Sequence, residues 1–187
     1  MRIIAGTARS LPLKTPEGLH TRPTSDKIKE TLFNMLQNDI PGSRFLDLFA
    51  GSGQIGLEAL SRGASEAVFV DNDKKAVACI QANLEFTKFD NYAQVCNRDA
   101  LGALYQLEGS TPFDIVFMDP PYDQSFEQQV LTYLSGSPLI NEDSIVIVEA
   151  SLQTDFDYVD ELGFRISKFK KYKTNMHVFL QLKAKEE

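Results

Sequence analysis

From Phe45 to Val148 the chain alternates short apolar runs with segments of helical period, and that alternation limits the fold more than any other feature. The apolar runs read as strands at Phe45–Phe49, Ala67–Val70, Tyr92–Cys96, Phe113–Met118 and Ser144–Val148. Helical patterns lie between them at Ile55–Ser61 (stopped by Gly63), Lys74–Phe86, Ala100–Leu107 and Phe126–Leu134. Such short, continuously apolar strands suit burial on both faces. Strand, helix and strand in repetition make parallel crossovers, so the expected class is α/β with a mostly parallel, doubly wound sheet and helices on both faces. Ligands of such a sheet bind at the carboxyl ends of its strands. The end of the chain departs from the pattern. Phe164–Tyr172 and Met176–Leu182 flank Lys173-Thr174-Asn175 and read as an antiparallel hairpin, which makes seven strands in all.

Before the first strand, residues 1–23 read as an irregular or β-rich leader punctuated by Gly6, Pro12, Pro16, Gly18 and Pro23. Thr24 or Ser25 can cap a helix running to about Asn38, with Ile28, Leu32, Met35 and Leu36 on one face. At 187 residues, a single domain over 1–187 is expected, with 1–23 as an extension of it. No apolar run approaches the roughly 18 residues of a membrane span, and Met1–Gly6 has no signal-peptide core. A cytoplasmic protein is the expectation, with Cys79 and Cys96 as free thiols.

Chemistry concentrates at the strand ends. Asp119-Pro120-Pro121-Tyr122 follows the apolar run Ile115–Met118. The prolines stop the strand and fix the backbone. An acid, a carbonyl and an aromatic ring are thereby held where a flat group with an exocyclic amine could be gripped and stacked. The first strand runs into Asp47-Leu48-Phe49-Ala50-Gly51-Ser52-Gly53-Gln54-Ile55-Gly56. Gly51 and Gly53 permit a sharp turn close to a ligand, and the next helix aims its amides there. Gly51-x-Gly53-x-x-Gly56 fits the dinucleotide pattern formally, but Asp47 just before it suits an ammonium group better than a pyrophosphate. Asp71-Asn72, 20 residues beyond Gly51, ends the second strand, where an acid accepts ribose hydroxyls. Asp73 reads as a helix cap. Asp99-Ala100 ends the third strand, and Asp99 reads equally as an adenine contact and as a helix cap. Asp114 and Glu149 read as structural. An ammonium end at Asp47, a ribose at Asp71 and an adenine at Asp99 together outline S-adenosylmethionine.

Through Asp47–Gly53, Asp71, Asp99 and Asp119–Tyr122 the chain resembles the Rossmann-like class I S-adenosylmethionine-dependent methyltransferases. A closer resemblance, to the RsmD family, covers nearly the full length. It rests on Ile3–Gly6, on Arg22–Asp26 with Lys29–Asn34, on Phe49–Gly53 with Gly56–Gly63, and on the Asp119 tetrad. It departs at the hairpin, where Lys173 follows Tyr172 in place of the family's frequent glycine. The resemblance implies a bacterial methyltransferase acting on N2 of the guanine conventionally numbered 966 in 16S ribosomal RNA. The tetrad itself is shared with adenine-N6 and glutamine-N5 enzymes. On this reading Asp119 and Pro120 orient the amine, Pro121 holds the turn and Tyr122 stacks the extruded base.

Net charge is −7, yet residues 1–29 carry six bases against two acids, and residues 165–173 carry five bases and no acid. Two basic ends on an acidic body can steer a polyanion to one face. Arg9, Lys14, Arg22 and the Lys170-Lys171 pair are the candidate phosphate contacts, while Arg22 reads equally as an organiser of the nucleotide site. The expected partner is 16S ribosomal RNA within a complete or partly assembled 30S subunit, met by a monomer without a metal. His20 and His177 have no ligand spacing. Three competing readings are an adenine-N6 DNA methyltransferase, a nicotinamide-dependent dehydrogenase and a non-catalytic RNA-binding scaffold. The second leaves Asp47 and the tetrad unexplained, and the intact acids speak against the third.

Overall fold

A computed structural model describes residues 1–16, 25–122 and 124–184. Its elements are α1 (Asp26–Met35), β1 (Arg44–Leu48), α2 (Gln54–Ser61), β2 (Glu66–Asp71), α3 (Lys74–Thr87), β3 (Ala93–Asn97), α4 (Ala100–Leu107), β4 (Ile115–Met118), α5 (Phe126–Ser135), β5 (Ile145–Ser151), β6 (Phe164–Lys171) and β7 (Asn175–Leu182). They form one seven-stranded sheet in the order β3-β2-β1-β4-β5-β7-β6. The first five strands are parallel, and β7 runs antiparallel to both β5 and β6. The strand order reverses between β1 and β4, which opens the crevice where such sheets bind ligands.

Side-chain alternation builds two apolar layers. Phe45, Phe69, Phe117, Ile147 and Phe179 pack beneath α1, α2 and α3. Leu46, Val68, Val116, Val146, Val148, Val178 and Leu180 pack against α4 and α5 on the other face. At their carboxyl ends, β1 and β4 continue the first layer with acids rather than hydrocarbon, because Asp47 follows Phe45 and Asp119 follows Phe117 at the strand period of two.

Several boundaries differ from the sequence reading. α1 stops at Met35 and passes into turns well before Asn38. β1 starts at Arg44 and ends at Leu48, since Phe49 adopts φ 61° and leaves the ladder. β3 is shifted by one residue, with Tyr92 in a short 3-10 turn. Phe113 is buried but lies outside β4, its amide bonded to the Leu139 carbonyl at 2.8 Å. β5 runs three residues past Val148, because β7 continues to pair with it through Ser151↔Asn175. Of the two cap candidates for α1, Ser25 accepts from the Ile28 amide at 3.3 Å. Thr24, Arg22 and His20 lie outside the described residues.

Within its described residues, 1–16, the leader takes the irregular form, turns closed by an antiparallel bridge between Arg2 and Pro12. It is held by α2. The fully buried Glu58 accepts from the Ile4 amide (2.8 Å), the Ala5 amide (3.0 Å) and Arg62 Nε (2.8 Å). Lys29, also fully buried, lies 3.6 Å from Glu58 and donates to the Arg2 carbonyl at 2.5 Å. Burial lowers the Lys29 pKa, and the Glu58 and Asp26 charges oppose that. Gly6 touches the end of α2 so closely that a Cβ there would sit 1.8 Å from the Ser61 carbonyl oxygen. Edge strand β6 is exposed along nearly its whole length and carries a register irregularity between Ile166 and Lys168.

Candidate active site

The loop after β1 is shaped by backbone geometry. Phe49, Gly51 and Gly53 all have positive φ, at 61°, 58° and 78°. The Ala50 amide bonds the Val70 carbonyl, and the Gly53 amide bonds the Ala50 carbonyl, so the loop folds back across β2 and enters α2 directly. A Cβ at Gly51 would meet nothing within 4 Å, which leaves open space beside the loop. Gly56 has the opposite reason to be glycine. A Cβ there would lie 2.3 Å from the Phe69 ring, so its absence is what lets α2 lie on β2. Ser52 is buried, and its carbonyl accepts from Asn83 Nδ2 on α3 at 3.0 Å.

Asp47 lies beneath this loop, only 1% exposed, with Oδ2 accepting from the Gly56 amide at 2.9 Å. Burial pushes its carboxyl up to about 7, against the pull of the Gly56 hydrogen bond, and nearby Asp71 adds to the rise. Asp71 holds the loop from the other side. Its Oδ2 accepts from the Gly51 amide at 2.8 Å and its Oδ1 from the Asp73 amide at 2.9 Å. Each of these oxygens keeps a second lone pair for a hydroxyl donor. Asn72 is exposed beside it. Asp73 caps α3 through the Lys75 amide, as its position predicts. Asp99 caps α4 through Oδ1 and the Gly102 amide at 2.8 Å, so the capping half of its dual reading holds. Ala100 is buried behind it.

The tetrad follows β4, next to β1 at the point of reversal. Pro120 is buried, while Pro121 and Tyr122 are exposed. The Asp119 carboxyl is held well above the usual carboxylate range, first by burial, then by the charges of Glu149 and Asp47. The cofactor-loop acid and the tetrad acid are therefore electrostatic neighbours. Asp114 accepts from the Arg44 amide at 2.7 Å and is structural, as expected. Glu149 is not merely a strand-end acid. It is buried beside Asp119, with Asn175 and His177 attached to it by hydrogen bonds and Tyr172 bonded in turn to His177. The extra residues of β5 put it there, and the longer pairing with β7 is the signal that a local reading lacks.

The basic candidates are dispersed. Arg9 and Lys14 are exposed on the leader. The Lys14 backbone is fixed by Asn83, which accepts from its amide at 2.8 Å and donates to its carbonyl at 3.0 Å. Because Asn83 also holds Ser52, this end of the leader lies next to the nucleotide loop. Lys170 and Lys171 are exposed on β6 but face opposite sides of the sheet, paired with His177 and Met176 respectively. Two surface hollows among the described residues lie away from the acids at the carboxyl ends of the strands. One, of about 220 Å³, lies at the amino ends of β1, β4 and β5, and the other, of about 460 Å³, lies between α4 and α5. The crossover geometry and the converging acids locate the site better than hollow size does.

Comparisons with known proteins agree with this geometry. The family model described as Conserved hypothetical protein 95 matches residues 1–181. Ribosomal RNA small subunit methyltransferase D of Haemophilus influenzae is 40% identical over 152 residues, covering 80% of this chain and 78% of that protein. Its Escherichia coli K12 counterpart is 37% identical over 153 residues, covering 82% and 76%. The solved structure of the methyltransferase candidate yhhF from Escherichia coli superposes with a TM-score of 0.85 at 31% identity, covering 99% of both chains.

Proposed function

We infer, from the premise that this chain belongs to the Conserved hypothetical protein 95 (RsmD) family, that it methylates a guanine N2 of small-subunit ribosomal RNA. The methyl donor is S-adenosylmethionine. Relatives named for the small ribosomal subunit support the RNA class. The observation that carries the chemistry is Asp119. A partly buried carboxyl at the end of β4, followed by two prolines and an exposed tyrosine, adjoins a glycine loop built for close backbone approach.

The residues fit the donor molecule. Asp71 retains acceptor capacity for a ribose diol, Asp99 keeps Oδ2 for an amine, and Asp47 underlies the loop where an ammonium group would lie. Phe49, Ala50, Gly51, Ser52 and Gly53 contribute backbone and the amino end of α2. Asn72 and Ala100 flank the nucleoside. When bound, S-adenosylmethionine supplies an electrophilic methyl group on a sulfonium.

The guanine amine is a poor nucleophile because its lone pair is delocalised into the ring. Asp119 and the Pro120 carbonyl accept its N–H bonds, which favours a pyramidal nitrogen and stabilises the charge developing on it. Tyr122 stacks on the extruded base, and Pro121 keeps the turn rigid. Asp119 takes the displaced proton after transfer. Positioning and electrostatics supply the rate. Arg9, Lys14, Arg22, Lys170 and Lys171 meet RNA phosphates, in the cytoplasm and on a single copy of the chain, with the 30S particle as the target.

The test is methyl transfer from labelled S-adenosylmethionine to unmodified 30S subunits, naked 16S RNA and duplex DNA, with Asp119→Ala as control. Label in guanine N2 that vanishes in the variant supports the assignment. Label confined to DNA adenine refutes it.

A further inference from the structure

Next to the tetrad lies a buried polar cluster that the methyl-transfer reading does not use. β4 and β5 are in parallel register at Met118↔Val148, so one residue further on Asp119 stands beside Glu149. β5 and β7 pair Glu149 with His177, and β6 and β7 pair His177 with Lys170. Asp119, Glu149, His177 and Lys170 thus form one transverse row at the site end of the sheet. By alternation the row faces the α1–α3 side, the side of Asp47.

Hydrogen bonds join two members of the row, Glu149 and His177, to Asn175 and Tyr172. Asn175 Nδ2 donates to Glu149 Oε1 at 2.6 Å, and His177 Nε2 lies 3.0 Å from Glu149 Oε2. His177 Nδ1 lies 3.2 Å from the Tyr172 hydroxyl. One tautomer satisfies both contacts, with Nε2–H donating to the carboxylate and Nδ1 accepting from Tyr172. The imidazole is fully buried, set edge-on against Phe117 at 6.0 Å and Tyr172 at 5.1 Å. Asn175 Oδ1 is buried with no hydrogen-bond partner. A buried orphan acceptor costs about 1–3 kcal/mol, and such an arrangement in a native structure calls for a reason beyond packing.

We propose that Glu149, braced by Asn175 and His177, is a positioning residue that acts through Asp119 and ties the charge state of the tetrad acid to the β6–β7 hairpin. The proposal concerns the site assigned above and rests on Asp119 as its acid. The groups facing Asp119 are Glu149 from β5 and Asp47 from β1, both anionic when ionised. Those facing Glu149 are Asp119, Asn175 and His177, with Tyr172 behind the imidazole and the exposed Lys170 across from it.

Negative charge behind Asp119 makes it a stronger proton acceptor. As the nitrogen–carbon bond forms and the carbon–sulfur bond breaks, the electron pair of the broken bond stays on sulfur. One amine proton passes to Asp119, which later releases it to water. Tyr172 sits where β6 turns toward β7, among Lys170, Lys171 and Lys173. An RNA phosphate drawing on that turn would therefore act on the same hydrogen-bonded chain.

The experiment follows the Asp119 carboxyl directly by carbon-13 NMR titration of aspartate-labelled protein, with Asp119→Asn to assign the resonance. The Asp119 midpoint is expected to fall in Glu149→Gln and to stay in place in Glu161→Gln, an exposed acid remote from the row. Tyr172→Phe removes one hydroxyl and little packing, and is expected to move the midpoint by a smaller amount. An Asp119 resonance that titrates identically in wild type, Glu149→Gln and Tyr172→Phe overturns the proposal. If Glu149→Gln fails to fold, Tyr172→Phe alone decides. The titration needs no methyl acceptor, so failure of the RNA assignment is read separately, in the methyl-transfer assay. There the acid limb of the pH–rate profile is expected to move to lower pH in Glu149→Gln.

Discussion

Replacing Asp47 by Asn should make this protein less sensitive to alkali. The side chain is 1% exposed, and burial raises its carboxyl from 3.8 to about 7. A carboxyl with a raised folded-state pKa binds its proton more tightly in the fold than in the open chain. Its contribution to stability is fully present below the unfolded value and is lost as pH rises through about 7. Relative to a side chain that never ionises, linkage puts the destabilisation at about 1.5 kcal/mol at pH 5 and about 4 kcal/mol at pH 8. Asn has nearly the same shape, can still accept from the Gly56 amide, and does not ionise. Between pH 5 and pH 8 the Asp47→Asn variant should therefore gain about 2.5 kcal/mol on wild type. Urea unfolding followed by circular dichroism, at one-unit steps of pH and without ligand, measures the difference. Taking the variant-minus-wild-type gap cancels every titrating group that does not interact with Asp47. Parallel stability curves would refute the reasoning, since they would mean that Asp47 is solvated in the fold despite its position beneath the loop.

Glu58→Ala should cost about 3–5 kcal/mol, because it leaves Lys29 buried without its counter-charge and strips the Ile4 and Ala5 amides of their acceptor. Limited proteolysis should cut the leader first, and uniform resistance would count against the role of Glu58 as its anchor. Gly56→Ala drives a methyl to 2.3 Å from the Phe69 ring and should lower stability by about 1–3 kcal/mol. Adding Phe69→Leu should recover part of the loss in a thermal melt, and no recovery would place the strain elsewhere. Tyr122→Ala should leave S-adenosylhomocysteine affinity unchanged while single-turnover methyl transfer falls about 10–100-fold, the worth of one base–aromatic stack. An equal loss in cofactor affinity would assign the ring to the other substrate.

The sheet was legible because its central strands β1, β2, β4 and β5 are buried on both faces. Runs such as Ile115–Met118 have one plausible fate in a chain of this period. The nucleotide loop was legible because positive φ at Gly51 and Gly53 and close packing at Gly56 leave a glycine signature. What escaped was set by partners distant in sequence. Glu149 looked like the residue after a strand, since a buried strand seldom ends in an acid. Only the antiparallel pairing with β7 carries β5 on to Ser151. Lys29 and Glu58 entered only within the segments that carry the family resemblance, because what buries them is the leader laid over them. Asp99 shows a different limit, because capping α4 and contacting a nucleoside ask for the same residue at the same place.

The irregularity in β6 bears on how the chain behaves among its own copies. Ile166 pairs with Leu180 and Lys168 with Phe179, so Ser167 is an extra residue in the ladder. This strand borders the sheet and exposes Ile166 and Phe169, a combination that invites another molecule to add a strand and extend the sheet. The extra residue breaks the even spacing that such an addition needs. Lys168, Lys170 and Lys171 set like charges against an identical edge. The cationic edge is by the same construction a poor template for self-assembly.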